Sequence, residues 1–225
     1  MFKRSYRLST TALAGIAGLL YCSWPLGYSL NPAVARRGLA SELGGTNQPY
    51  AWVFILGDVL CGVLMIAVAA LIWRGLLAQA RKPLIAILLW TIIAFAIGTI
   101  ADALLPLKCS LSTQACPSFH QDHLLLIHGL ISILAANFLF LSLLILWWRA
   151  RRSLVLTGLM IGYVAFSVFS VIGVAFPNQG NWAQHYYLTL CGVVLACFPW
   201  ALWQFAIHPN PQRSLRPAVR PVKIR

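Results

Sequence analysis

The sequence predicts an all-α, polytopic membrane protein: a single domain of six transmembrane helices with both termini cytoplasmic. Three observations predict it. The chain of 225 residues is 60% hydrophobic and only 9% charged, with a mean hydropathy of +0.79. A soluble domain carries about a quarter charged residues, so this composition leaves most of the surface to lipid. Next, six apolar runs reach the length of about 20 residues that a helix needs to cross a bilayer. Last, the charges are sorted. With six spans, fourteen of the 17 Lys and Arg residues fall on one side and all 4 acidic residues on the other.

The spans read as Thr11–Leu30, Ala51–Trp73, Leu84–Leu105, His123–Trp148, Leu154–Phe176 and His185–Ile207. Runs this long and continuous are helices, because barrel strands are short and alternate in polarity. The N-terminus carries Lys3, Arg4 and Arg7, the second connection Arg74, Arg81 and Lys82, and the fourth Arg149, Arg151 and Arg152. The segment 208–225 adds Arg213, Arg216, Arg220, Lys223 and Arg225. By the positive-inside rule this side is cytoplasmic. The first run is about as long as a full span and carries Trp24, Pro25 and Tyr28. It therefore reads as a retained helix rather than a cleaved signal, despite the Ala33-Val34-Ala35 sequence. Pro25 and Pro199 are expected to kink the first and sixth spans, and Gly158, Gly162 and Ser170 to allow close helix contact in the fifth.

A net charge of +13 could suggest nucleic acid. The basic residues instead sit in short clusters between apolar runs, so the expected partners are the lipid bilayer and anionic lipids at the cytoplasmic face, with no nucleic acid. The segment 208–225 reads as a basic, membrane-proximal tail.

The polar chemistry gathers on the outer side. Glu42, Asp58, Asp102 and Asp122 map there, with His120, His123, His128 and His185. Asp58 lies about 10 Å deep in the second span at 1.5 Å per residue. A charge at the bilayer centre costs about 2.5–3.5 kcal/mol, so an intramembrane Asp points to function. His128 and Ser132 are i, i+4 and share one face of the fourth span, as do Gly98 and Asp102 in the third. His123 and His128 are five apart and project in different directions.

Two readings follow. In one, Asp58, Asp102 and His128 are catalytic candidates round an outward-facing cavity. His123, His128 and His185 are then candidate ligands for a metal, with zinc the candidate ion. In the other, Asp58 and His128 pair with each other or with backbone, and the remaining polar groups are wetted interface residues.

Cys22, Cys61, Cys191 and Cys197 lie within spans, where thiols act as small apolar residues. Cys109 and Cys116 lie in the outer loop and are expected to form a structural disulfide. The absence of CxxC argues against redox catalysis.

The connection Asn31–Tyr50 is rich in Gly, Asn and Pro and reads as a turn-rich segment folded over the outer mouth. Its order Asn31-Pro32, Ser41-Glu42-Leu43-Gly44 and Gln48-Pro49-Tyr50-Ala51-Trp52 resembles a bacterial integral membrane family catalogued as a domain of unknown function, number nine hundred and ninety-eight. A second block agrees, running Ala101-Asp102-Ala103-Leu104-Leu105-Pro106-Leu107, then Cys109, Cys116, His123, His128 and Ser132. The resemblance covers nearly the whole chain. Lys108 stands where many members carry an acid. The resemblance implies a bacterial cytoplasmic membrane location and a topology, and no reaction. In residue types alone the chain is also similar to ceramidase-like and adiponectin-receptor-like hydrolases, which hold zinc with three His near an Asp and a Ser. Their spacing and seven spans differ.

Three function classes remain open: a non-enzymatic envelope or interaction protein with a polar outward-facing pocket, a metal-dependent intramembrane hydrolase acting on lipid or envelope precursors, and a proton-coupled transporter. The scarcity of ionisable groups in the inner halves of the spans counts against the last.

Overall fold

The computed structural model describes residues 4–76, 83–110, 112, 123–175 and 182–207. Every element among them is helical, and six helices are long and apolar enough to cross a membrane. The segment 208–225, with Cys116, His120 and Asp122, lies outside the described residues.

Helix α1 (Arg4–Tyr21) opens the first span and stops at Cys22 and Ser23. The chain continues through a 3-10 turn at Trp24–Leu26 into α2 (Gly27–Leu30). Pro25 has no N–H to donate to an α-helical ladder, and the expected kink takes the form of this break. Asn31 then turns the chain, and Pro32 starts α3 (Pro32–Arg37), where its missing N–H costs nothing. A second 3-10 turn spans Ala40–Gly44. Tyr50, with φ 60°, is left-handed and reverses the chain into α4.

The remaining spans are α4 (Ala51–Leu76), α5 (Pro83–Leu104), α6 (His123–Arg149), α7 (Leu154–Ala175) and α8 (Trp182–Ala201). Pro199 leaves the carbonyl of Leu195 without its ladder partner. Just beyond it, α8 widens into a π turn at Leu202–Ile207.

In space the helices run α7, α8, α1, α4, α5, α6 round the bundle, and α6 returns to α7 through a sparser contact. Because successive spans reverse direction, the start of α1 and the end of α8 share one end. There Arg7 lies over the Trp203 ring at 5.2 Å and Arg151 over Trp148 at 5.5 Å. We call this the basic end. Glu42, Asp58 and Asp102 lie toward the other, acidic end.

Apolar packing is concentrated toward the basic end. Met65, Val68 and Ile72 of α4 meet Leu88, Ile92 and Phe95 of α5, Leu139, Leu143 and Leu146 of α6, and Leu195 and Phe198 of α8. All are buried. One hydroxyl pair crosses this core: Thr91 Oγ1 and Ser142 Oγ lie 2.6 Å apart. Each of the two hydroxyls also lies within hydrogen-bond reach of a carbonyl of its own helix.

Glycines set the closest approaches, but not where the sequence places them. A Cβ on Gly18 of α1 would strike the carbonyl oxygen of Gly192 in α8, and one on Gly192 would strike Cys22 Sγ. A Cβ on Gly62 would come within 2.7 Å of the Ala96 carbonyl oxygen, and one on Gly98 within 2.9 Å of Ala135 Cβ. In the fifth span, Gly158 has open space around it, Gly162 faces the flexible end of Leu190, and Ser170 bonds back to Phe166. The tight interfaces are therefore α1–α8, α4–α5 and α5–α6.

This difference is testable. Gly192→Ala should destabilise the bundle by about 1–3 kcal/mol through overpacking. Gly158→Ala should be neutral or gain up to about 1 kcal/mol from helix propensity. Thermal unfolding of the two variants in mild detergent measures both.

Candidate functional site

Toward the acidic end the same helices carry smaller and more polar side chains, and the space between them is not filled. A cavity of about 130 Å³ remains. Helix α4 contributes Phe54 and Asp58, α5 Thr99 and Asp102, and α6 Ser132, Ala135 and Ala136. Helix α8 contributes Gln184, Tyr187 and Leu188, and the break after α1 contributes Tyr21, Ser23 and Trp24. Ala40 and Ser41 complete the wall, so the connection between α3 and α4 folds over the mouth. The Ala40 N–H donates to Gln184 Oε1 at 2.7 Å, which pins that connection to α8.

Of the two cavity carboxyl groups, Asp102 is the one with partners. Ser132 Oγ donates to its Oδ1 at 2.7 Å, and His128 Nδ1 lies 3.1 Å from the same oxygen. His128 Nδ1 also lies 3.0 Å from the Leu105 carbonyl oxygen. A carbonyl only accepts, so Nδ1 carries the proton. In the neutral ring Nε2 is then an unprotonated acceptor, and it is buried without a partner. The i, i+4 spacing of His128 and Ser132 thus places both on Asp102.

The expected pair of Asp58 with His128 does not form. Asp58 sits on α4, which packs on α1 and α5, whereas His128 sits on α6, which packs on α5. The imidazole meets α5 first and finds its acceptors at Asp102 on that helix and at Leu105 just past its end. Asp58 faces the cavity, and among the described residues its carboxylate has no hydrogen bond and no ion pair.

The three candidate metal ligands are not gathered. His123 is exposed at the first turn of α6, and His128 is held on α5. His185 is buried, with its ring stacked on Trp24 at 4.5 Å and 4°. Its Nε2 also has no partner. Among the described residues no three His, Cys, Asp or Glu side chains form a metal-holding group.

The aromatic wall is fixed from behind. Tyr187 donates its hydroxyl proton to Tyr163 at 2.7 Å, and Tyr163 donates to the Ala136 carbonyl at 2.7 Å. The Trp24 indole N–H donates to Thr189 Oγ1 at 3.2 Å. Cys22, Cys61, Cys191 and Cys197 are free thiols. Cys109 is engaged rather than free, and Cys116, its expected partner, lies outside the described residues.

A family model described as "Protein of unknown function (DUF998)" matches residues 13–208. The chain belongs to the DUF998 family. No curated protein and no solved structure matches it.

In this DUF998 chain Glu42, which sequence places only on the outer side, is a buried and bonded polar group. Glu42 is 1% exposed, yet has no basic partner among the described residues. Its Oε2 accepts from Ser110 Oγ, from the Ser112 N–H at 3.1 Å and from Ser112 Oγ at 2.7 Å. Its Oε1 accepts from the Leu39 N–H at 2.8 Å. Asn31 Nδ2 likewise donates to Gln48 Oε1 at 2.8 Å, and the Thr46 N–H to the Leu107 carbonyl at 2.8 Å. Asn31, Glu42, Thr46 and Gln48 therefore knit the covering segment to itself and to the loop after α5. Only the Leu39–Glu42 spacing was a local signal. The serines are too distant in sequence for any period to couple them to Glu42.

Glu42→Ala should cost about 2 kcal/mol or more, since it strands buried donors. Hydrogen exchange should show faster amide exchange across residues 31–50, with the buried core of α5 unchanged. Glu42→Gln, which keeps one acceptor oxygen, should fall between.

Proposed function

We propose that this DUF998 protein is a non-enzymatic, ligand-binding protein of the bacterial cytoplasmic membrane. Its cavity opens to the outer side, and its basic end faces the cytoplasm and anionic lipid. The sorting of basic residues supports that orientation. Cys109 and Cys116 then lie in an oxidising compartment and tie the outer loop as a disulfide.

The observation that carries the binding reading is the order of the polar contacts. In a serine nucleophile site the imidazole stands between hydroxyl and carboxylate and takes the hydroxyl proton. Here the carboxylate stands in the middle: Ser132 donates to Asp102, and His128 contacts Asp102 by its protonated nitrogen. Ser132 is thereby an orienting group rather than an activated one. The apolar core beneath the cavity supports a closed pocket over a proton-coupled transport path.

One observation favours a metal-dependent hydrolase as a second reading: the buried, unpartnered Nε2 of His128 has a lone pair free for a ligand bond. Metal analysis of protein purified in mild detergent separates the two. About one zinc per chain, lost in His128→Ala and Asp102→Ala, would establish the hydrolase reading over ours.

The pocket reading makes its own prediction. In a background with the four free thiols replaced by Ala, Ala136→Cys should react with a small, impermeant methanethiosulfonate added from outside the cell. Ile133→Cys, on the same helix but exposed to lipid, should not react, because a thiol in hydrocarbon does not ionise. Reaction of Ala136→Cys only from the cytoplasmic side, or none at all, would overturn an outward-opening pocket.

A further inference from the structure

We infer that the ligand of this cavity carries a small primary ammonium group; the inference rests on the pocket reading above and names the chemistry that fills it.

The lining is rich in acceptors and holds two acidic side chains. Two carboxylates, Asp58 and Asp102, face one space, with no Lys or Arg among the described residues around it. Asp102 is already bonded by Ser132 and His128, whereas Asp58 has no hydrogen bond or ion pair among the described residues. A carboxylate at membrane depth without a partner is costly, and a cation against it lowers that cost.

Thr99 supplies the second, independent observation. Thr99 lines the cavity and is 4% exposed, and its covered Oγ1 has no hydrogen-bond partner. Hydroxyls elsewhere in the spans, such as Thr10, Ser142 and Thr189, bond to the carbonyl four residues back. Thr99 forgoes that bond, and its hydroxyl remains an unspent hydrogen-bonding group beside the space. Tyr187 has committed its proton to Tyr163, so its oxygen can only accept from the cavity. A group with three N–H donors and one positive charge matches the acceptors of this set, whereas an anion would face two carboxyl groups with no basic side chain among the described residues to offset them.

The aromatic wall fits the same charge. Tyr21, Trp24 and Tyr187 line the cavity, and aromatic faces attract ammonium groups by about 0.5–2 kcal/mol. His185 stacked on Trp24 holds the indole in place, so the wall needs no rearrangement on binding. Size sets the class. A cavity of about 130 Å³ is close to the about 150 Å³ at which an engineered void takes up benzene. A ligand head of about half a dozen non-hydrogen atoms therefore fits. The ammonium belongs either to a free amine or to an ethanolamine lipid headgroup, and the test distinguishes them.

The experiment is equilibrium dialysis of radiolabelled ethanolamine, with radiolabelled ethylene glycol as its uncharged isostere, against the full chain in a maltoside detergent. Ethanolamine should bind at about one per chain, and glycol at least about tenfold more weakly, the loss of one charge-assisted hydrogen bond. Asp58→Asn should lose about tenfold in ethanolamine affinity, while Asp58→Glu keeps most of it. Both variants are compared only as monodisperse protein with the parental melting curve; if Asp58→Asn does not fold, Thr99→Val replaces it and should weaken binding severalfold.

The same dialysis in phosphatidylglycerol bilayers, with and without phosphatidylethanolamine, identifies the source. Suppression by the ethanolamine lipid supports the headgroup, and unchanged binding supports the free amine. Equal binding of glycol and ethanolamine overturns the ammonium inference and leaves the pocket standing. Binding of neither, with Ala136→Cys still reactive from outside, does the same. An unreactive Ala136→Cys removes the pocket itself.

Discussion

The contact between Gly18 and Gly192 is the one on which the arrangement depends. It brings the first span against the last, where a side chain on either residue would meet backbone or Cys22. Lipid gives apolar side chains no reason to seek one another, so close van der Waals approach must hold spans together. With α1 seated on α8, Tyr21, Ser23 and Trp24 come opposite Gln184 and Tyr187, and the cavity acquires its aromatic wall. With these spans further apart, that wall would not be shared and the covering segment could not reach Gln184.

The bundle is built as two unequal halves. Toward the basic end, Phe95, Leu139, Leu143 and Phe198 fill the space between helices, and dense packing there sets the relative positions of α4, α5, α6 and α8. Toward the acidic end, these helices carry Asp58, Thr99, Asp102, Ser132 and Ala135, too small or too polar to fill the same gap. Buried polar groups are tolerated when they are bonded. Most here are: Asp102, Glu42, Tyr163 and Tyr187 each have named partners. Among the described residues the unpartnered groups are few, and two of them, the Thr99 hydroxyl and the Asp58 carboxylate, belong to residues that line the cavity. That selectivity separates a site from a loosely packed end.

The fold class was legible because the lipid environment writes it in composition. Length of apolar runs gives the spans, and no tertiary contact can override so strong a signal. The site was legible only in part. Spacing on one helix placed His128 and Ser132 on a shared face, and their common partner could then be only a neighbour of α6. Sequence gave no means to know that this neighbour is α5 rather than α4, so Asp58 and Asp102 were interchangeable. The histidines illustrate the same limit. His123, His128 and His185 share a residue type and a side of the membrane, yet one is exposed, one is bonded to α5 and one is stacked on Trp24. Glu42 was hidden because its donors arrive from the loop after α5. The glycines of the fifth span misled because a small residue permits close packing without requiring it; Gly158 has nothing near it.

The break in the first span connects these halves. Non-helical backbone at membrane depth survives only where protein or a cavity shelters it. Here both conditions hold. The Cys22 N–H still reaches the Gly18 and Leu19 carbonyls at 3.1 Å, and its thiol donates to the Leu188 carbonyl at 3.5 Å, so the broken turn is satisfied by its own helix and by α8. Gly57 of α4 leaves room on the other side, where a Cβ would come within 3.2 Å of the Leu20 carbonyl oxygen. An unbroken helix through Pro25 would carry the following side chains onward along a single axis. The 3-10 turn instead swings Trp24 back over His185 and leads the chain toward the segment that closes the mouth. The residue that a helix cannot accommodate is thus what lets one span supply wall and cover to the same cavity.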